Sequence, residues 1–207
     1  TLCCICIAAI SKPQTDPSRL NLSFNFMTLY AGTPETQVAY FINKYVGAFF
    51  ATGYTWSPRH SIIQIGERAD LVSLHGAYWK FGLVGRLPLR QSRTTPWLRV
   101  AYVGSQYDEE LESKAYYAGS GTVITKTHLS GTTHGFAVAP GVDIRLGKKF
   151  DLRVGYQVGY YKRGDSFGSR DMDYQPGFGA VSVMLPEQVI AGFNYRIGSI
   201  KQKLPKE

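Results

Sequence analysis

The chain has 207 residues, a formal charge of +8, and 44% hydrophobic, 14% aromatic and 18% charged residues. That length suits one domain with a substantial core, and an aromatic-rich chain without polar low-complexity tracts is not a disordered one. No run of eighteen apolar residues occurs, which excludes a membrane-spanning helix, while a mean hydropathy near zero is equally compatible with a membrane barrel, whose two strand faces average out.

Residues 1–14 open with an apolar run around Leu2, Ile5 and Ile7, followed by Ser11, Lys12, Pro13 and Gln14. This reads as the remnant of a secretory signal peptide cleaved between Ala9 and Gln14. Cys3, Cys4 and Cys6, the three cysteines of the chain, all fall within it. The mature protein is therefore expected to carry no disulfide framework and no thiolate metal site. Residues 15–200 are read as one β-barrel domain and residues 201–207 as a basic tail.

Period-two alternation marks the strands. The first covers residues 20–26, with Leu20, Leu22, Phe24 and Phe26 opposite Asn21, Ser23 and Asn25. A long connection over 31–43 precedes a strand at 44–56, where Ala48, Phe50, Thr52, Tyr54 and Trp56 face away from Gly47 and Gly53. A short turn at 57–60, a weaker strand at 61–65 and a connection at 67–70 follow. Then Trp79, Phe81, Leu83, Leu87 and Leu89 alternate with Lys80, Gly82, Val84, Arg86 and Pro88. Beyond a turn at 90–95, Leu98, Val100 and Tyr102 alternate with Arg99, Ala101 and Val103. A long connection at 108–133 leads to the clearest segment, where Phe136, Val138, Pro140, Val142, Ile144 and Leu146 oppose Ala137, Ala139, Gly141, Asp143 and Arg145. Gly147, Lys148 and Lys149 form a tight turn into Phe150, Leu152, Val154, Tyr156, Val158 and Tyr160, which oppose Asp151, Arg153, Gly155, Gln157 and Gly159. A last long connection covers 163–186, and residues 189–198 close the pattern with Val189, Ala191, Phe193, Tyr195 and Ile197 against Ile190, Gly192, Asn194, Arg196 and Gly198.

Strands of about ten residues are long enough to cross the hydrocarbon layer when tilted, whereas soluble sandwiches use strands of about five or six. The expected fold is all-β, a transmembrane antiparallel up-and-down barrel of eight strands, with ten as the alternative if residues 177–185 join the ring. Alternating short and long connections place both termini on the periplasmic side of a bacterial outer membrane. The face opposite the apolar one would fill a narrow lumen with Gly, Ala and a charge network of Lys80, Arg86, Arg99, Asp143, Arg145, Asp151, Arg153 and Arg196. That network is read as an ion-paired plug, with an anion-selective path as the sharper alternative. Tyr54, Trp56, Trp79, Trp97, Tyr102, Tyr160 and Tyr195 are expected to form interfacial girdles.

Residues 136–160, a glycine-punctuated strand, basic turn and second strand ending in Gly159-Tyr160, resemble the PorT-like outer-membrane β-barrel domain family common in Bacteroidota. Residues 189–198 look like that family's closing strand, and Thr95-Pro96-Trp97 resembles its central Pro-aromatic strand start. The tail at 199–207 departs from the usual aromatic strand end. The resemblance implies a barrel fold and, for members named PorT, a part in protein secretion across the outer membrane.

No nucleophile-elbow, zinc-protease, dinucleotide or phosphate-loop signature occurs, so no cofactor and no enzyme site are expected. His60, His75, His128 and His134 sit in no recognisable motif; His128 and His134 beside Asp108, Glu109 and Glu110 would be the material for a barrel hydrolase of lipid or peptide. A soluble lipid-binding barrel, with its apolar faces turned inward, is the other alternative. Lys12, Arg19, Lys148, Lys149, Lys201, Lys203 and Lys206 gather at the expected periplasmic end, where headgroups or protein partners explain them better than nucleic acid does. The expected partners are outer-membrane lipid and proteins meeting the loops or turns.

Overall fold

The computed structural model describes residues 18–30, 33–57, 60–61, 69–89, 92–117, 121–163, 173–175, 179–181 and 187–198. The expected signal remnant with its cysteines and the basic tail lie outside these residues.

Eight strands form the barrel: β1 (Leu20–Asn25), β2 (Glu35–Phe41), β3 (Val46–Ser57), β4 (Ala69–Arg86), β5 (Thr94–Tyr117), β6 (Gly121–Arg145), β7 (Phe150–Arg163) and β8 (Glu187–Ile197). Each pairs antiparallel with its sequence neighbours, and β8 pairs with β1, so the sheet closes without a free edge around the ring. Phe150, Tyr195, Leu22, Val38, Phe50, Phe81, Tyr102, Phe136 and Tyr160 are successive cross-strand partners. This row circles the barrel and returns to β7 ten residues above its start, from Phe150 to Tyr160. With a rise of ~3.3 Å per residue and a strand spacing of ~4.8 Å, that shear tilts eight strands by about 40° and leaves an interior only wide enough for side chains.

Alternation decides which face is which. The row just named points outward, with Phe50, Phe81, Phe136 and Phe150 exposed, as are Leu83, Leu98, Val100, Val138, Val154, Val158, Val189 and Phe193. Their neighbours Lys80, Arg99, Asp143, Asp151, Arg153, Gln157, Asn194 and Arg196 are buried inside. Small residues on the inner face leave room for large ones across the strand. A Cβ on Gly141 would lie 2.2 Å from the Trp97 ring, and one on Gly53 would lie 2.3 Å from Tyr78. Trp97–Gly141 and Gly53–Tyr78 are direct cross-strand pairs, so each glycine is the floor on which an aromatic lies.

The structure corrects several boundaries. β2 occupies the stretch expected to be a long connection. Phe26 starts a one-turn helix, α1 (Phe26–Tyr30), instead of ending β1, because the Asn25 side chain accepts the Met27 N–H (3.2 Å) and caps it. Ser57 and His60, which flank the first expected short turn, lie at the opposite end from the short connections that follow Phe41, Arg86 and Arg145. In the first of these, Asn43 Oδ1 accepts the Tyr45 and Val46 N–H groups (2.8 and 2.9 Å), an Asx turn. Of the weak strand at 61–65, only the two-residue bridge His60–Ser61 on β4 is described, and residues 62–65 lie outside. The expected loop at 108–133 is instead ladder: β5 and β6 run 24 and 25 residues and stay paired to Tyr117–Gly121. Asp173–Gln175 and Gly179–Val181 form a small hairpin separate from the ring, so the strand count is eight and not ten.

Candidate functional site

The interior holds the chain's concentrated polar chemistry, in three layers. In the middle layer Arg153 on β7 makes a bidentate pair with its cross-strand partner Asp143 on β6 (Nε–Oδ1 2.8 Å, Nη2–Oδ2 2.9 Å) and donates Nη1 to Ser23 Oγ (3.0 Å). The two side chains are 4% and 10% exposed. Fork-to-carboxylate geometry of this kind is strong because both bonds are charge-assisted.

Toward the loop end, Lys80 Nζ lies 2.6 Å from Glu35 Oε2 and donates to Gln157 Oε1 (3.2 Å), while Tyr78 Oη donates to Glu35 Oε2 (3.1 Å). Arg99 donates to Gln37 Oε1 and lies over the Trp97 ring, 4.2 Å from its centroid. Arg153 approaches the same ring at 5.3 Å, so one indole serves two guanidinium groups.

Toward the turn end, Arg196 Nε is 3.2 Å from Asp151 Oδ2, and Asn194 Nδ2 donates to the same oxygen (3.1 Å). Arg196 Nη2 also donates to the Gly147 carbonyl (2.8 Å), tying the lumen to the β6–β7 turn. Arg86 finds no carboxylate within ion-pair distance among the described residues; it donates to the carbonyls of Ser18 (2.7 Å) and Lys44 (3.1 Å) and stacks on Phe41 (3.5 Å). Arg145, half-buried, has its Nε unpartnered. A cleft of about 30 Å³ opens here among Arg86, Arg93, Arg145, Arg196, Asp143 and Asp151.

All eight charged residues expected in the lumen lie on inward-facing positions, but their pairing differs from the simple expectation. Lys80 is held by Glu35, not by Asp143 or Asp151. Sequence reading missed Glu35 and Gln37 because β2 was not recognised; the only local signal was Gln37, Ala39 and Phe41 alternating with Val38 and Tyr40. Trp97 is a correction of another kind: only 4% exposed, it lies inside the barrel and cannot belong to an interfacial girdle. It shares strand parity with Arg99, and parity places it on the lumen side. Tyr54, Trp56, Trp79 and Tyr160 face outward toward the loop ends of their strands, Tyr160 at 73% exposure. Tyr195 packs on Phe150 near the turn end (4.9 Å), and Tyr102 sits mid-strand between Phe81 (5.3 Å) and Phe136 (5.6 Å).

Among the histidines, His128 Nε2 lies 3.0 Å from Asp108 Oδ1, but the two side chains are 68% and 53% exposed on the outer face of the β5–β6 hairpin. No buried group supports that pair among the described residues. His75 and His134 are exposed, and the side chain of His60 lies outside the described residues, as does that of Glu109.

A closed ladder with its charges inside and its apolar side chains outside is the inverse of a water-soluble barrel and the arrangement of a membrane-spanning one. The chain is a transmembrane-type eight-stranded β-barrel with an ion-paired interior. It matches no protein-family model and no curated relative. Among solved structures it is similar to Neisserial surface protein A (14% identity, 86% of this chain and 94% of that one, TM-score 0.45). It is also similar to the N-terminal β-barrel domain of Pseudomonas aeruginosa OprF (8%, 88% and 100%, 0.43) and to Ail, the attachment invasion locus protein of Yersinia pestis (12%, 89% and 100%, 0.46). Likeness at this level adds nothing to the assignment, which stands on the chain's own ladder.

Proposed function

We propose that the chain is a non-enzymatic integral protein of a bacterial outer membrane, a rigid scaffold that presents its loop end to a partner in a surface or secretion complex. The observation that carries this reading is the inside-out distribution of polarity, a continuous outward apolar row with its counter-face of paired charges. A soluble lipid-binding barrel would require the opposite arrangement.

Loop-end presentation is supported by the length of two strands. About ten residues suffice to cross the membrane, so the 24 and 25 residues of β5 and β6 extend well beyond it. Ladder pairing of β6 to β7 begins at Thr133–Arg163, and residues 121–132 have β5 on one side and no strand on the other among the described residues. Such an edge offers main-chain donors and acceptors to an extended segment of a partner. The start of β1, the end of β8 and the short turns then face the periplasm, where Arg19, Lys44, Lys148 and Lys149 meet anionic headgroups. A role in secretion is what the PorT-like resemblance of residues 136–160 favours.

Fractionation of cells expressing the protein, combined with protease treatment of intact cells, tests the proposal. The expected result is recovery in the outer membrane, faster gel migration unboiled than boiled, and surface cleavage confined to the β5–β6 hairpin and the other loop-end connections. Recovery in the soluble periplasm, or cleavage at the 146–149 turn of intact cells, would overturn it.

A further inference from the structure

Between the Lys80–Glu35 and Arg153–Asp143 pairs lies a third buried cation, Arg99, that no carboxylate holds among the described residues. Arg99 is 6% exposed, and its single hydrogen-bond partner among the described residues is the neutral Gln37 side chain, reached through Nη1. Its Nε and Nη2 are buried with no acceptor. Two other buried donors on the wall of the same cavity share that condition, Gln37 Nε2 and Asn25 Nδ2. The orientation of both amides is set by their oxygens: Gln37 Oε1 accepts from Arg99, and Asn25 Oδ1 accepts the N–H groups of Met27 (3.2 Å) and Ala191 (3.3 Å). Neither amide can be reversed without losing those bonds.

Asn25, Gln37 and Arg99 all line one cavity of about 10 Å³ between β1, β2, β5 and β8. The other polar groups on its wall are already engaged. Glu35 holds Lys80 and Tyr78, Arg153 holds Asp143, and Ser23 Oγ donates to Asn194 Oδ1 (3.0 Å) while accepting from Arg153. Counting Arg99, Arg153 and Lys80 against Glu35 and Asp143, the middle and loop-end layers together carry one net positive charge. Four donor atoms without acceptors, next to an unbalanced buried cation, require an acceptor with negative charge. A water molecule would bring two more protons to a place already short of acceptors. The volume fits one atom-sized guest and excludes phosphate or sulfate.

We propose that this cavity is a binding site for a single small monovalent anion, chloride in the cell, held by Arg99, Gln37 and Asn25. Bound there, the ion balances the charge of Arg99, Arg153, Lys80, Glu35 and Asp143 and clamps β1 and β2 to β5, so barrel stability depends on halide.

The test uses the full chain refolded in micelles. Crystals grown in sodium bromide should show an anomalous peak within hydrogen-bonding reach of Arg99. Urea midpoints should be higher in sodium chloride than in sodium gluconate of equal ionic strength, because gluconate is too large to enter. Well above half-saturation, each tenfold rise in chloride should raise the folded-to-unfolded ratio about tenfold. Gln37→Glu supplies a carboxylate to Arg99 and should abolish the chloride dependence. Equal midpoints in the two salts with no bromide peak would overturn the proposal, as would chloride dependence that persists undiminished in a folded Gln37→Glu barrel. If that variant does not fold, the wild-type salt comparison and the bromide map decide.

Discussion

Replacing Asp143 by alanine should be among the most destabilising single changes in the barrel. The substitution removes two charge-assisted hydrogen bonds of 2.8 and 2.9 Å from a guanidinium that is 4% exposed. Arg153 would keep Ser23 Oγ as its hydrogen-bond partner, with Arg99 stacked on the same indole. Hydrogen bonds to charged groups are worth ~1.5–3 kcal/mol each, and breaking a buried pair by removing one partner costs ~3–5 kcal/mol. The two figures agree, and at ~1.4 kcal/mol per decade they correspond to a loss of about two to four orders of magnitude in the folding equilibrium. Urea titration in micelles, reading the folded fraction from the unboiled gel band, measures it. The double replacement Asp143→Leu with Arg153→Met should recover most of the loss, since a buried pair exchanged for apolar groups is close to neutral. A single Asp143→Ala variant within ~0.5 kcal/mol of wild type would show that Arg153 is solvated, and the reading of the lumen as a dry, paired interior would fail.

Gly141→Val should cost ~1–3 kcal/mol by overpacking, because its Cβ would sit 2.2 Å from the Trp97 ring; a second change, Trp97→Leu, should relieve part of that cost in the same urea titration. Phe81→Arg places a charge in the outward apolar row and should cost ~2–4 kcal/mol if that row faces the bilayer core; refolding into lipid vesicles measures this, and a change near zero would place Phe81 in water. His128→Ala removes an ion pair between groups that are more than half exposed, so its stability should stay within ~1 kcal/mol of wild type.

The barrel was legible where the two strand faces differ in kind. From Phe136 to Tyr160 one face is Val, Phe and Tyr and the other is Gly, Ala, Asp and Arg, so period two is visible residue by residue. It was not legible in β2, where Ala39 and Phe41 face inward while Val38 and Tyr40 face outward, so both faces look apolar. With β2 went Glu35, the partner of Lys80. The upper halves of β5 and β6 escaped notice for the reverse reason: residues 124–128 are exposed on both faces, and Thr, Ser and charged residues carry no hydrophobic alternation. Trp97 was misplaced because its position near a strand end suggested an interface, although its parity with Arg99 pointed inward. What confirms the inward position is register, which brings Gly141 and Gly155 beneath the ring, and register is a long-range property that composition does not encode.

The central claim is that the barrel is inside-out and embedded in lipid. Its three tryptophans, Trp56, Trp79 and Trp97, test it directly. Variants retaining a single tryptophan, refolded into vesicles containing brominated lipid, should show strong quenching at Trp79 and Trp56 and almost none at Trp97, which lies 4% exposed between Arg99 and Arg153. Quenching at Trp97 with Trp79 unaffected would mean that the faces are reversed, and equal absence of quenching at all three would mean that no face of this barrel meets the bilayer.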